Sequence, residues 1–321
     1  MSNYPGQIVL SAEWYPQSAV QLTWPSANTD WADIIDEVET CYKQVAYEIS
    51  KRQTLVLACE NPSDVKKKLA HCNQQYLRFA ATPVNDTWAR DHGGITIFEN
   101  GKPVVLDFTF NGWGLKFAAN HDNQITRQLY ENGIFESEVA LRNMKQYVLE
   151  GGSIESDGIG TILTTEECLL NDNRNSWMDK PTIENLLLNA FGASRVLWLK
   201  NGFLAGDDTD SHIDTLARFC SDSSIAYVKC SDTSDEHFEV LEAMEHELKS
   251  FARPNGLPYE LIPLPMAEPV YESGRRLPAT YANFLIINGA VLVATYNGTK
   301  TDSVALGQIK KSIPRKGDNR Y

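Results

Sequence analysis

The sequence predicts a mixed α/β fold assembled from one repeated unit, a β-hairpin followed by a helix and a further strand. Three observations predict it. Asn-Gly pairs flanked by β-rich runs occur in ITIFENGKPVVLDF, turning at Asn100-Gly101, and in ANFLIINGAVLV, turning at Asn288-Gly289. Such pairs favour two-residue hairpins. Downstream come stretches whose apolar residues recur every three or four positions, the helical period. After four of those stretches runs a short apolar segment suited to a strand: TLVLAC from Thr54, KQYVLE from Lys145, RVLWL from Arg195 and YELIPL from Tyr259.

Taken in order, the first unit pairs a candidate hairpin between Ile8 and Trp24, whose turn chemistry is poor, with a helix marked by Trp31, Ile34, Val38, Tyr42, Val45 and Ile49. The Asn100-Gly101 hairpin follows, then a shorter helical pattern around Ile125 and Leu129. The third hairpin, SIESDGIGTILTT, turns at Asp157-Gly158, and Pro181 opens a helix carrying Ile183, Leu186, Leu187 and Ala190. Proline is well tolerated in the first helical turn. The fourth, HIDTLARFCSDSSIAYVKC, breaks at Ser221 to Ser224 and precedes a helix with Phe238, Leu241, Met244, Leu248 and Phe251. The fifth turns at Asn288-Gly289 and carries Ala305, Ile309 and Ile313.

Units of this kind close into a ring, a five-bladed α/β propeller of ββαβ blades formed by residues 1–321 as a single domain; a generic α/β sandwich is the alternative. The fifth blade is expected to lack its last strand. The chain ends in SIPRKGDNRY, where Pro314, Gly317 and four charged residues suit a strand poorly. An open sheet edge is then expected to lower stability unless another segment fills it.

Composition bounds the function. The 321 residues carry 29 Lys+Arg against 42 Asp+Glu, a formal charge of −13, with 42% hydrophobic and 22% charged residues. This is ordinary globular chemistry, and the acidic balance argues against a nucleic-acid partner. No basic leader precedes an apolar run, and the most apolar stretch, from Phe284, is too short and too broken to span a bilayer. A cytoplasmic address with no membrane partner is the expectation. Cysteines at 41, 59, 72, 168, 220 and 230 form no CxxC pair, so neither a zinc site nor a disulfide framework is expected.

Polar residues cluster where the units begin: WARDHGG before the second hairpin, EGGS before the third, GDDTDSHID at the fourth. A radial arrangement would bring Asp91, Glu150, His212 and Asp214 together. Carboxylates bind a planar guanidinium through paired hydrogen bonds. Each residue also has a plainer reading: Asp91 beside Arg90 as an ion pair, Glu150 as turn punctuation, and His212 and Asp214 as two polar groups on one strand face. The run Asp207, Asp208 and Asp210 lacks the closing glutamate of a calcium loop and reads as a solvated turn. Trp24 and Trp113 read as core or rim aromatics.

Together WARDHGG, NGWGLKF, LEGGSIESDGIGTILTTEECLLNDNRN, GDDTDSHIDTLARF and ANFLIINGAVLV resemble the agmatine deiminase family, the bacterial-type peptidylarginine deiminase group of guanidino-modifying enzymes. The likeness runs from about Leu22 to Asp302. It implies the five-bladed propeller, hydrolysis of a guanidinium to a ureido group and ammonia, no metal or organic cofactor, and a habit of homo-oligomerisation. It implies that Asp91 and Asp214 grip the guanidinium, that His212 is the general acid/base, and that Glu150 is a further acidic group of the pocket.

The implied nucleophile is a cysteine in a glycine-rich C-terminal strand, yet no cysteine follows Cys230. Cys220 lies in the fourth hairpin and Cys168 follows Glu166 and Glu167, which would raise its pKa. Gly94 and Ser211 stand where the family usually has Pro and Gly. Agmatine is the expected substrate, giving N-carbamoylputrescine; peptidylarginine, free arginine or dimethylarginine hydrolysis and amidino transfer are alternatives. For free arginine, Arg90 or Arg218 would have to meet the carboxylate. A catalytically inactive guanidinium-binding protein is the alternative of another class.

Overall fold

The computed structural model describes residues 8–296 and 300–313. The tail from Pro314, expected not to form a strand, lies outside them. Contacts divide the chain into two compact units, Pro16–Gly151, and Ile8–Tyr15 with the chain from Gly152 onward. Both mix helices with sheets.

In the first unit, β1 (Ala19–Thr23) pairs in parallel with β2 (Thr54–Cys59), and β2 in parallel with β3 (Leu77–Ala81). The N-terminal hairpin expected from Ile8 to Trp24 is therefore corrected: Ala19 faces Thr54 rather than a neighbour across a tight turn. Parallel strands need a crossover, and helix α1 (Ile35–Ser50) supplies it, burying Ala46 and Ile49. A second, short crossover helix at Pro62–Lys68 begins on the Asn61 side chain, which accepts the Asp64 N–H at 3.1 Å. Strands β4 (Ile95–Glu99) and β5 (Lys102–Thr109) form the expected hairpin. Its turn residues Asn100 and Gly101 have φ of 53° and 76°, the positive values a two-residue turn of the favoured hand requires. Helix α2 (Asp122–Glu131) then leads to β6 (Ala140–Val148), parallel to β5. Val56, Ala58, Ala80, Val84, Ile125 and Leu129 pack into a core here.

The second unit repeats the pattern. Strands β7 (Ile154–Ser156) and β8 (Thr161–Thr165) are antiparallel, with the Asp157 carboxylate closing their turn by accepting the N–H groups of Ile159 and Thr161. Helix α3 (Lys180–Phe191) carries Pro181 in its first turn, is capped by Asp179, and returns to β9 (Arg195–Leu199), parallel to β8. Strands β10 (Ala217–Ser221) and β11 (Ser224–Lys229), helix α4 (Phe238–Ser250) and the parallel β12 (Glu260–Pro265) make the next set. The last is β13 (Leu285–Ile287), β14 (Ala290–Leu292) and α5 (Lys300–Ser312). Leu216, Phe219, Leu241, Met244, Leu248, Phe284 and Ile309 join one core.

That core contains a charge. The Arg218 side chain, 1% exposed, donates to Glu13 through Nη2, to Glu155 through Nε, and to the carbonyls of Ala282 and Phe284 through Nη1. Glu155 also accepts the Phe219 N–H at 3.2 Å, and Glu13 accepts the Ile286 N–H at 2.7 Å. Arg218 is thus a structural hub rather than a partner for a substrate carboxylate. Among the described residues, no helix is long and apolar enough to cross a membrane.

Candidate functional site

In the first unit Asp91 sits on a single helical turn, Ala89–His92, directly after the exposed Trp88, and is 7% exposed. Glu150, following β6, is fully buried. Gly151 joins the two motifs: a Cβ there would lie 2.1 Å from the Arg90 carbonyl oxygen, so only glycine lets this backbone pass so close. The loop before Trp88 is pinned by Asp122, whose carboxylate accepts the N–H groups of Asn85 at 2.7 Å and Asp86 at 3.0 Å. Burial pushes that carboxyl up to about 6, against the pull of those two bonds. His92 is buried with Nε2 3.1 Å from Thr23 Oγ1, and burial brings its pKa down to about 3.

Trp113, which the sequence reads as a core or rim aromatic, is buried, and its Nε1 also donates to Asp91 Oδ2 at 3.1 Å. It sits in a left-handed turn, with φ of 68° at Gly112, 53° at Trp113, 83° at Gly114 and 65° at Leu115. That conformation costs a non-glycine residue roughly 1–2 kcal/mol, so it must be held. Asn111 holds it, its carbonyl accepting the Leu115 N–H at 2.9 Å and its side chain the Gly114 N–H at 2.8 Å. The two glycines flanking Trp113 were the available signal for this turn.

In the second unit His212 and Asp214 are 1% and 3% exposed. They do not share a strand face as expected. The Thr215 N–H and Oγ1 both bond to the His212 carbonyl, at 3.3 and 2.9 Å, closing the helical turn Ile213–Leu216 before β10 begins. The acidic run ahead of His212, read as a solvated turn, is bound by protein donors. Asp207 accepts the N–H groups of Thr209 at 3.1 Å and Ser211 at 2.7 Å. Asp208 pairs with Arg275 at 2.8 Å, and Asp210 with the buried Arg174 at 2.7 Å. Upstream, His237 Nε2 accepts the Ala205 N–H at 2.8 Å.

Thr165 adds a link that the sequence did not reveal. Its Oγ1 donates to the Ser211 carbonyl at 2.8 Å and accepts the Cys168 N–H at 3.3 Å, so one hydroxyl ties the turn Glu166–Leu169 to the loop ending in His212. Cys168 Sγ and a His212 ring nitrogen lie within 4.8 Å of each other, both buried. Of the other cysteines, burial pushes the Cys59 and Cys220 thiols up to about 12 and also raises Cys72 and Cys230, while Cys41 is exposed on α1.

Buried carboxylates beside constrained loops suit a cationic ligand. An agmatine deiminase structure from C. jejuni superposes with a TM-score of 0.87 at 37% identity, covering 98% of this chain and 91% of that one. A provisionally named arginine deiminase from Porphyromonas gingivalis gives 0.91 at 51% identity, over 96% of this chain and 91% of that one. A provisionally named agmatine deiminase of Legionella pneumophila (strain Paris) is 32% identical over 302 residues, 92% of this chain and 84% of the relative. Residues 9–317 match the family model of Porphyromonas-type peptidyl-arginine deiminases. The chain belongs to that family, which here joins the agmatine deiminases, and is an enzyme of its amidine-hydrolase class.

Proposed function

We propose that this protein hydrolyses the guanidinium of agmatine to a ureido group and ammonia, releasing N-carbamoylputrescine on a route to putrescine. The family match over residues 9–317 carries the reading. Asp91 and Asp214 bind the guanidinium by charge-assisted hydrogen bonds. A thiolate adds to the guanidinium carbon, and ammonia leaves with a proton from His212. His212 then activates water, which displaces sulfur and leaves the ureido carbonyl. Glu150 acts as a further acidic group of the pocket. The repeated pairing of antiparallel hairpin, helix and parallel strand supports a five-bladed propeller in a single domain. The composition supports a cytoplasmic setting, and the family habit supports a homo-oligomer.

The thiolate separates two versions of this reading. Cys168, although close to His212, is fully buried. A guanidinium-binding protein without turnover is therefore the second reading. Calorimetric titration with agmatine, alongside assays for ammonia and ureido product, distinguishes them: binding with product supports the enzyme, and binding alone the second reading. Asp91→Asn should weaken agmatine binding by about 1.5–3 kcal/mol, the worth of a hydrogen bond to a charged group. Unchanged affinity would remove Asp91 from the site.

A further inference from the structure

We infer that Trp113 is a positioning residue for Asp91, and that the left-handed turn Gly112–Leu115 exists to aim its indole N–H. The inference rests on the reading that Asp91 binds the guanidinium, and it goes beyond that reading in assigning a role to a side chain 22 positions away. Four consecutive residues with positive φ, two of them a bulky Trp and Leu, are a costly arrangement. A turn used only to reverse the chain would need neither. Here the backbone is closed by Asn111 at both its carbonyl and its side chain, and by the Lys116 N–H, which donates to the Gly112 carbonyl at 3.1 Å. A side chain on residue 112 is excluded, since its Cβ would lie 2.2 Å from the Phe117 carbonyl oxygen.

The indole is held as firmly as the backbone. Phe110, Phe117 and Trp88 each meet it nearly perpendicularly, with ring centroids at 5.0, 5.6 and 6.1 Å and interplanar angles of 86°, 87° and 83°. Edge-to-face packing on three sides fixes the ring plane, and with it the direction of the N–H. That N–H meets Asp91 Oδ2 at 3.1 Å. Indole nitrogen is a donor only, so Asp91 Oδ2 is the acceptor in this contact. Trp113 thus orients one oxygen of the carboxylate, a property a guanidinium-binding acid needs before its ligand arrives.

The test uses the full chain and agmatine as the probe. Trp113→Phe keeps most of the ring packing and removes the donor; agmatine affinity by calorimetry should fall about tenfold, the lower end for a hydrogen bond to a charged group. In the Asp91→Asn background the same substitution should change affinity less than twofold. The Trp113 indole resonance, identified in a ¹⁵N-correlated spectrum as the one missing from Trp113→Phe, should move upfield in Asp91→Asn. Gly114→Ala, which strains the turn while keeping the indole, should weaken binding if the aim of the ring matters. Equal effects of Trp113→Phe in both backgrounds, or an indole resonance indifferent to Asp91→Asn, would overturn the inference. If Asp91→Asn itself leaves agmatine binding intact, the assignment of Asp91 fails, which is a different result.

Discussion

Removing the Arg218 guanidinium tests whether the second unit is organised around a buried charge. Arg218→Met keeps similar bulk but leaves Glu13 and Glu155, with side chains 15% and 6% exposed, facing each other without their cation. The carbonyls of Ala282 and Phe284 lose their donor in the same step, and the guanidinium no longer lies over the Phe284 ring, 4.5 Å from its centroid. Breaking a buried pair by deleting one partner costs about 3–5 kcal/mol, because an uncompensated charge remains. For a unit of this size each kcal/mol shifts the melting temperature by roughly 2–4 °C, so a fall on the order of 10 °C is expected at neutral pH. The assay is thermal and urea unfolding of the wild type, Arg218→Met, and Arg218→Met combined with Glu13→Gln and Glu155→Gln. The triple variant should recover part of the loss, since its amides no longer carry buried charge. A loss under about 1 kcal/mol in the single variant, or a triple variant less stable than the single, would refute the reasoning.

Two further outcomes follow from groups in or beside the candidate site. His92 has its pKa brought down to about 3 by burial, while in the unfolded chain it titrates near the ordinary histidine value of 6.5. Between those values the unfolded state takes up a proton that the folded state refuses, so His92 makes stability fall as pH drops from 6.5 towards 3, by up to about 1.4 kcal/mol per pH unit. Urea unfolding at pH 7 and pH 5 should therefore show a smaller acid loss in His92→Asn than in the wild type; parallel curves would contradict it. Ser211 has φ of 61°, so Ser211→Gly should relieve roughly 1 kcal/mol of left-handed strain, reduced by glycine's greater unfolded-state entropy. The measured stability should stay level or rise slightly, and a clear fall would show that the serine makes a contact worth more than its strain.

Hairpins were legible because their signal is local. Asn100-Gly101 needs positive φ at both residues, and few other dipeptides supply it cheaply. The helices showed themselves through spacing, as with Leu241, Met244 and Leu248, all buried. Parallel pairing leaves no such mark. Nothing in AVQLT announces that it lies beside TLVLAC, and the segment's β character fits half of a hairpin equally well. The short helix Pro62–Lys68 escaped for a related reason: with three consecutive lysines it buries only Val65, too little for a periodicity.

Within the candidate site, residues rich in chemistry were visible and the residues that hold them were not. Asp91, Glu150, His212 and Asp214 could be picked out as acids and an imidazole in short polar clusters, and all four are buried. Trp113 and Thr165 act through contacts spanning 22 and 46 residues, which no local pattern encodes. Ser211, which stands where the family usually has glycine, changes no charge, but the backbone, with φ of 61°, is where it matters. A strained residue persists only where its surroundings over-determine it, and here the Ser211 N–H is held by Asp207 and its carbonyl by Thr165. The same logic governs Trp113 in the first unit. In both places backbone strain stands one or two contacts from a proposed site residue, and in both it is sustained by hydrogen bonds from conformationally fixed neighbours. A side chain that must meet a flat cation in one orientation gains nothing from a relaxed loop, because any freedom left to it before binding has to be removed when the ligand arrives.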